Sequence, residues 1–107
     1  MAHGAQEPQE ALFAACAEGR VDEVRQMLDE GAEVDQAEND WTPLQSACFN
    51  GHVDAARLLL EKGAEVDRAM EDGATPLYIA CQEGNVDAAL LLLDRGADAN
   101  SPTDAQG

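Results

Sequence analysis

The sequence predicts an all-helical fold, a solenoid of helix–turn–helix repeats joined by β-hairpin loops. Three observations predict it. Cys16, Cys48 and Cys81 are separated by 32 and 33 residues, and two sets of glycines, Gly19, Gly51, Gly84 and Gly31, Gly63, Gly96, repeat those intervals. Each period carries two short apolar runs with a glycine between them, too short to be stable helices alone and matched to packing against neighbours. The hydrophobic fraction is 45% but the aromatic fraction only 4%. A core built from that composition is mostly Ala, Leu and Val, and Ala and Leu are strong helix formers.

Three copies align over most of the chain: "EALFAACAEGRVDEVRQMLDEGAEVD", "TPLQSACFNGHVDAARLLLEKGAEVD" and "TPLYIACQEGNVDAALLLLDRGADAN". The element order follows from them. Thr42 and Thr75 stand before Pro43 and Pro76. A threonine hydroxyl caps the free N–H groups of a first turn, and proline suits the first helical position. A first helix is therefore expected over Leu44–Phe49 and over Leu77–Gln82, stopped by Gly51 and Gly84 in a left-handed conformation. A second helix begins at Val21, Val53 and Val86. Asp22, Asp54 and Asp87 lie in its first turn and Lys62 and Arg95 are placed in the last, both favourable to the helix dipole. The polar stretches "QAEND" and "RAMEDG" between copies suit extended hairpins with tight tips. The chain reads as one domain over 1–107, with repeats at about 8–40, 41–73 and 74–107.

Charge restricts the partners. Twenty-two acidic and six basic residues leave a net charge of −16. Such a surface repels nucleic acid and anionic lipid, which need clusters of Lys and Arg. It favours basic partners, or serves solubility alone. The segment Met1–Gln9 is polar, so no secretory leader is expected, and no apolar run approaches the length of a membrane helix. Three cysteines do not form a disulfide framework, and an intracellular, cytoplasmic setting fits them.

Cys48 and His52 lie four apart, which on one helix would bring a thiol and an imidazole to one face. The aligned copies decide against chemistry. The partners of His52 are Arg20 and Asn85, so the cysteine recurs and the histidine does not. Packing is therefore the reading for Cys16, Cys48 and Cys81, small apolar side chains between neighbouring copies. His52 is a turn residue that bonds across its turn or to the next copy. His3 is the other histidine. No Ser–His–Asp arrangement or phosphate loop is present, and carboxylates such as Glu71 and Asp72 fall at hairpin tips. No enzyme, cofactor or metal is expected.

The motif T-P-L-x-x-A, the paired helices and the 33-residue period resemble the ankyrin repeat, and the likeness runs on through "GHVDAARLLLEKGAEVD". Gln45 and Tyr78 stand where the family usually has histidine. The second hairpin is one residue short and has Asn39-Asp40-Trp41 in place of the usual glycine. Asn100 occupies a position that is hydroxylated in some similar proteins. The resemblance implies a target held by the hairpin tips and the concave face of the first helices. Carried over by position, the candidate partner-binding residues are Trp41, Phe49, Asn50, Gln45, Glu38, Met70, Tyr78, Gln82 and Glu83. Gln9, Ala74, Ala17 and Glu18 occupy equivalent positions. Two readings stand for Trp41: an anchor for a partner, or packing on the adjacent hairpin in place of the missing glycine.

The implied function is non-covalent protein binding, to a basic or groove-shaped partner surface. The alternative is a structural segment of a longer array with no ligand of its own. The first copy, with Arg20, Glu23, Arg25 and Gln26, reads as an N-terminal cap. The third is more apolar, with Leu90 at the position of Arg57, which suggests end-to-end association through that repeat or a further repeat beyond it.

Overall fold

The computed structural model describes residues 8–37 and 40–99, with side chains from Leu12 onward. Six helices follow one another: α1 Pro8–Glu18, α2 Val21–Asp29, α3 Pro43–Asn50, α4 Val53–Glu61, α5 Pro76–Gln82 and α6 Val86–Asp94. They form three pairs. The first helices α1, α3 and α5 lie side by side, and the second helices α2, α4 and α6 make a parallel row against them.

Local chemistry sets the starts of α3 and α5. The Thr42 hydroxyl accepts from the Gln45 backbone N–H at 3.2 Å, and the Thr75 hydroxyl accepts from Tyr78 N–H at the same distance. In the second copy the cap is reciprocal. The Gln45 side-chain oxygen accepts from Thr42 N–H at 2.9 Å, closing a capping box over two orphan donors. Between paired helices Gly51 adopts φ 76°, which lets His52 N–H return to the Ala47 carbonyl at 2.9 Å. Arg20 to Ala15 and Asn85 to Ala80 repeat this bond at 2.9 and 2.8 Å. Lys62 and Arg95 fall one residue beyond their helices, as C-caps, and not in the last turn.

The core runs through the seam between the two rows. Leu12, Leu44, Ala47, Ala56, Leu59 and Leu92 are all fully buried. Burying one such leucine contributes about 1.5–3 kcal/mol relative to leaving it in water. The small side chains at Ala15, Ala47 and Ala80 let neighbouring first helices approach closely.

The loops are tied across copies by side chains. The Asp35 carboxylate accepts from Glu65 N–H at 3.1 Å, and one period later Asp67 accepts from Asp98 N–H at 3.1 Å. The hairpins are simpler than expected. Among the described residues there is no β-ladder of strand length, and Trp41 makes an isolated bridge. In the loop between α4 and α5 Met70 N–H donates to the Ala74 carbonyl at 2.9 Å, and Gly73 at φ 91° closes the tip.

Candidate functional site

The surface formed by the first helices and the loop tips is where the candidate residues converge. Asp40 sets its geometry. It adopts φ 75°, a left-handed conformation that aspartate tolerates better than most residues. Asp40 thus takes the role that Gly73 has one period later, and its carboxylate accepts from Glu71 N–H at 2.9 Å. Trp41 does not substitute for the missing glycine. It leaves the turn half-buried, and its ring meets Phe49 edge to face with centroids 5.4 Å apart.

This pair forms one wall of a groove of about 240 Å³ lined by Phe13, Ala17, Trp41, Ser46, Phe49 and Asn50. Phe49 is 43% exposed, a large apolar group held open to solvent by the helix end it occupies. Asn50 is exposed, and its amide donates to the Ser46 carbonyl at 2.9 Å. Phe13 is a residue that motif reasoning missed. It occupies the position of Gln45 and Tyr78 in the first copy, where the T-P-L landmark is absent. The alignment of the three copies contains the signal.

Gln45 leaves the candidate surface. It is completely buried, with its amide N–H donating to the Arg68 carbonyl at 2.6 Å in addition to its capping bond. All its reach is spent joining α3 to the loop after α4. Its sequence pattern, Thr-x-x-Gln, is that of a capping box and could have been read as one. Tyr78 and Met70 are half-buried, and Gln82 and Glu83 are exposed at the end of α5. Ala74 is buried, Ala17 lines the groove and Glu18 is exposed. Glu38 and Asn39 lie outside the described residues, as do Asn100 and His3, and the side chain of Gln9 is not described.

Charge is divided between the faces. Five of the six basic residues, Arg20, Arg25, Arg57, Lys62 and Arg95, sit on the second helices or at their ends. Arg20 pairs with Glu18 at 3.1 Å and Glu23 at 3.4 Å, Arg57 with Asp54 at 2.8 Å and Lys62 with Asp29 at 3.5 Å. These pairs are exposed and each contributes about 0–1 kcal/mol. Around the groove and loop tips the described charged groups include Glu18, Asp40, Glu71, Asp72 and Glu83, all exposed and acidic, with Arg68 the one exposed basic residue among the described loop residues beyond the helix ends.

The cysteines divide. Cys16 and Cys48 are fully buried, and burial pushes both thiols up to about 12. Cys81, expected to pack like them, is exposed, and among the described residues no helix follows α6 to cover it. His52 reaches back and not forward: its ring lies over Gly19, so close that a Cβ there would stand 2.6 Å from Nδ1. Among the described residues no group of three or more His, Cys, Asp or Glu side chains is placed to hold a metal. No described helix is long and apolar enough to cross a membrane.

Stacked helix pairs whose loop tips and first helices carry an open, acidic surface define a repeat scaffold. The chain belongs to the ankyrin repeat family: the family profile for ankyrin repeats in three copies matches residues 12–103. Among solved structures, the human ASB11 ankyrin repeat domain is similar at 37% identity and a TM-score of 0.78. That alignment covers 82% of this chain and 40% of the ASB11 domain, so the chain spans less than half of that neighbour. No curated protein matches significantly. Ankyrin repeats in general mediate protein–protein interaction, as a non-enzymatic scaffold.

Proposed function

We propose that this chain binds a partner protein non-covalently at the groove between α1 and α3, through an apolar anchor flanked by basic residues. The observation that carries this reading is the Trp41–Phe49 pair, two of the four aromatic residues, held half-open beside a groove. Aromatic side chains in such a setting dominate interface energy because they bury much area at little entropic cost. The acidic groups around the groove favour Lys or Arg on the partner and accelerate encounter. Phe13, Asn50 and Glu18 extend the surface on one side, and Met70, Tyr78, Gln82 and Glu83 on the other. The work is binding and not catalysis. An intracellular location accords with three cysteines that form no disulfide.

The test is affinity capture with the wild type beside a Trp41→Ala, Phe49→Ala variant, followed by titration of the purified partner against both. The expected loss is about 2 kcal/mol or more. A partner held equally tightly by both proteins would leave the alternative, a structural segment with no ligand at this groove.

A further inference from the structure

The groove between α1 and α3 contains a polar group that the fold leaves unmatched. Of its six lining residues, Phe13, Ala17, Trp41, Phe49 and Asn50 are half-buried or exposed, and Ser46 alone is buried, with 3% of its surface open. Ser46 therefore lies deepest, behind the three rings. Its backbone N–H donates to the Thr42 carbonyl at 3.0 Å, and its carbonyl accepts from the Asn50 amide at 2.9 Å. Neither bond uses the side chain. Among the described residues the Ser46 hydroxyl has no hydrogen-bond partner. A hydroxyl taken out of water without a partner destabilises the fold that holds it.

The three copies provide an internal control. The equivalent positions are Ala14 and Ile79, both apolar, so packing between first helices asks for no hydroxyl here. Ile79 is as buried on α5 as Ser46 is on α3, with 5% of its surface open. One turn beyond Ser46, Asn50 commits its amide nitrogen to the Ser46 carbonyl, which fixes the other side-chain atom as the oxygen. Among the described residues that oxygen has no partner either. The groove thus offers one hydroxyl and one amide oxygen, a helical turn apart, among three aromatic rings.

We propose that the residue a partner protein places in this groove is a tyrosine, with its ring against Phe13, Trp41 and Phe49 and its phenol at Ser46 and Asn50. This names the anchor and rests on the reading of the groove as the binding site. The phenol O–H donates to Asn50 Oδ1, and the phenol oxygen accepts from the Ser46 O–H, so all three polar groups are matched. Tryptophan has a donor and no acceptor, and phenylalanine has neither, so both leave the Ser46 hydrogen unused. A lysine or arginine head fits the groove less well. None of the six lining side chains is a carboxylate, and a charge costs more to take from water than a neutral hydroxyl. The basic residues of the partner belong at the rim. There Glu18 and Asp40, both exposed, stand next in sequence to the lining residues Ala17 and Trp41.

The experiment uses the full chain and two blocked synthetic peptides, Lys-Lys-Tyr-Lys-Lys and Lys-Lys-Phe-Lys-Lys. Trp41 is the single tryptophan and lines the groove, so its fluorescence reports occupancy. The wild type should bind the tyrosine peptide about threefold or more tightly than the phenylalanine peptide. Ser46→Ala, which installs the residue of the first copy, should lose that preference while keeping its affinity for the phenylalanine peptide. It should also unfold at no lower temperature than the wild type, because it deletes a hydroxyl without a partner. Equal binding of the two peptides by the wild type overturns the inference and leaves the groove as the binding site. A preference that survives in Ser46→Ala also overturns it, as does a lower thermal midpoint for that variant, which would mean that the hydroxyl is already bonded within the fold. If neither peptide perturbs Trp41, the reading of the groove as a binding site falls together with the tyrosine.

Discussion

Trp41 and Phe49 meet with their ring planes 77° apart, the edge of one directed at the face of the other. Trp41 lies just before the first turn of α3 and Phe49 near its end, so the pair braces α3 while leaving Phe49 largely open. Aromatic pairs of this geometry contribute about 0.5–1.5 kcal/mol beyond the area they bury. A double-mutant cycle of Trp41→Ala and Phe49→Ala, followed by urea denaturation, should return a coupling energy in that range. A coupling indistinguishable from zero would mean the rings do not interact in solution.

Gly19 and Gly84 share a φ of 74° but differ in their surroundings. Alanine at Gly84 incurs the left-handed penalty alone, about 1–2 kcal/mol. Alanine at Gly19 also meets the His52 ring, and should cost at least about 1 kcal/mol more. Adding His52→Ala to Gly19→Ala should recover most of that difference, because the two side chains compete for one space. Equal destabilisation at both glycines, measured by thermal unfolding, would contradict the close approach.

The thiols should separate cleanly under native conditions at pH 8. Cys81 reacts first, and Cys16 and Cys48 react only as the fold opens. Burial also couples them to stability. The unfolded chain releases these thiol protons near 9.0 while the fold retains them to about 12. The fold then binds more protons than the unfolded chain, so stability falls as pH rises through that window. Replacing Cys16 and Cys48 by alanine should flatten the alkaline decline, as read from denaturation midpoints between those limits.

Asp35 has its carboxyl pushed above the usual value of 3.8, chiefly by desolvation, although the Glu65 N–H opposes that shift. Well below the ordinary carboxylate value both states are protonated and Asp35 has no pH-linked effect. As pH rises past it, the unfolded chain ionises more readily, so Asp35 subtracts from stability at neutral pH. Asp35→Asn keeps an oxygen for Glu65 N–H and removes the charge. It should stabilise at pH 7 by less than about 1 kcal/mol, a gain limited by solvent screening. The gain should shrink as pH falls toward the ordinary carboxylate range. Destabilisation at pH 7 in urea titrations would refute the linkage.

Much of the fold was legible because periodic features report directly on local geometry. Thr-Pro marks a helix start, and the inner glycine marks its stop by a conformation other residues resist. The candidate surface was legible only where a landmark anchored the register. Trp41 and Phe49 sit beside T-P-L and the inner glycine, so the aligned copies single them out. Phe13 lies in a copy without T-P-L and escapes the motif. Gln45 was misplaced because a variable position on one helix face turned out to be consumed by a capping bond and an inter-copy bond.

The sequence by itself determined the period and the paired helices. Those properties depend on contacts within about one turn of helix or on a pattern that repeats. Tertiary structure alone decided which equivalent residues are equivalent in fact. Cys48 is buried and Cys81 is not, although each follows an alanine and stands three residues before the inner glycine, because α5 packs against α3 and no described helix follows α6 to pack in the same way on α5. For the same reason a Cβ at Gly19 would crowd the His52 ring while one at Gly84 would meet no described residue within 4 Å. In a stack each copy is completed by its neighbour, so the chemistry of an end differs from that of the middle even where the letters agree.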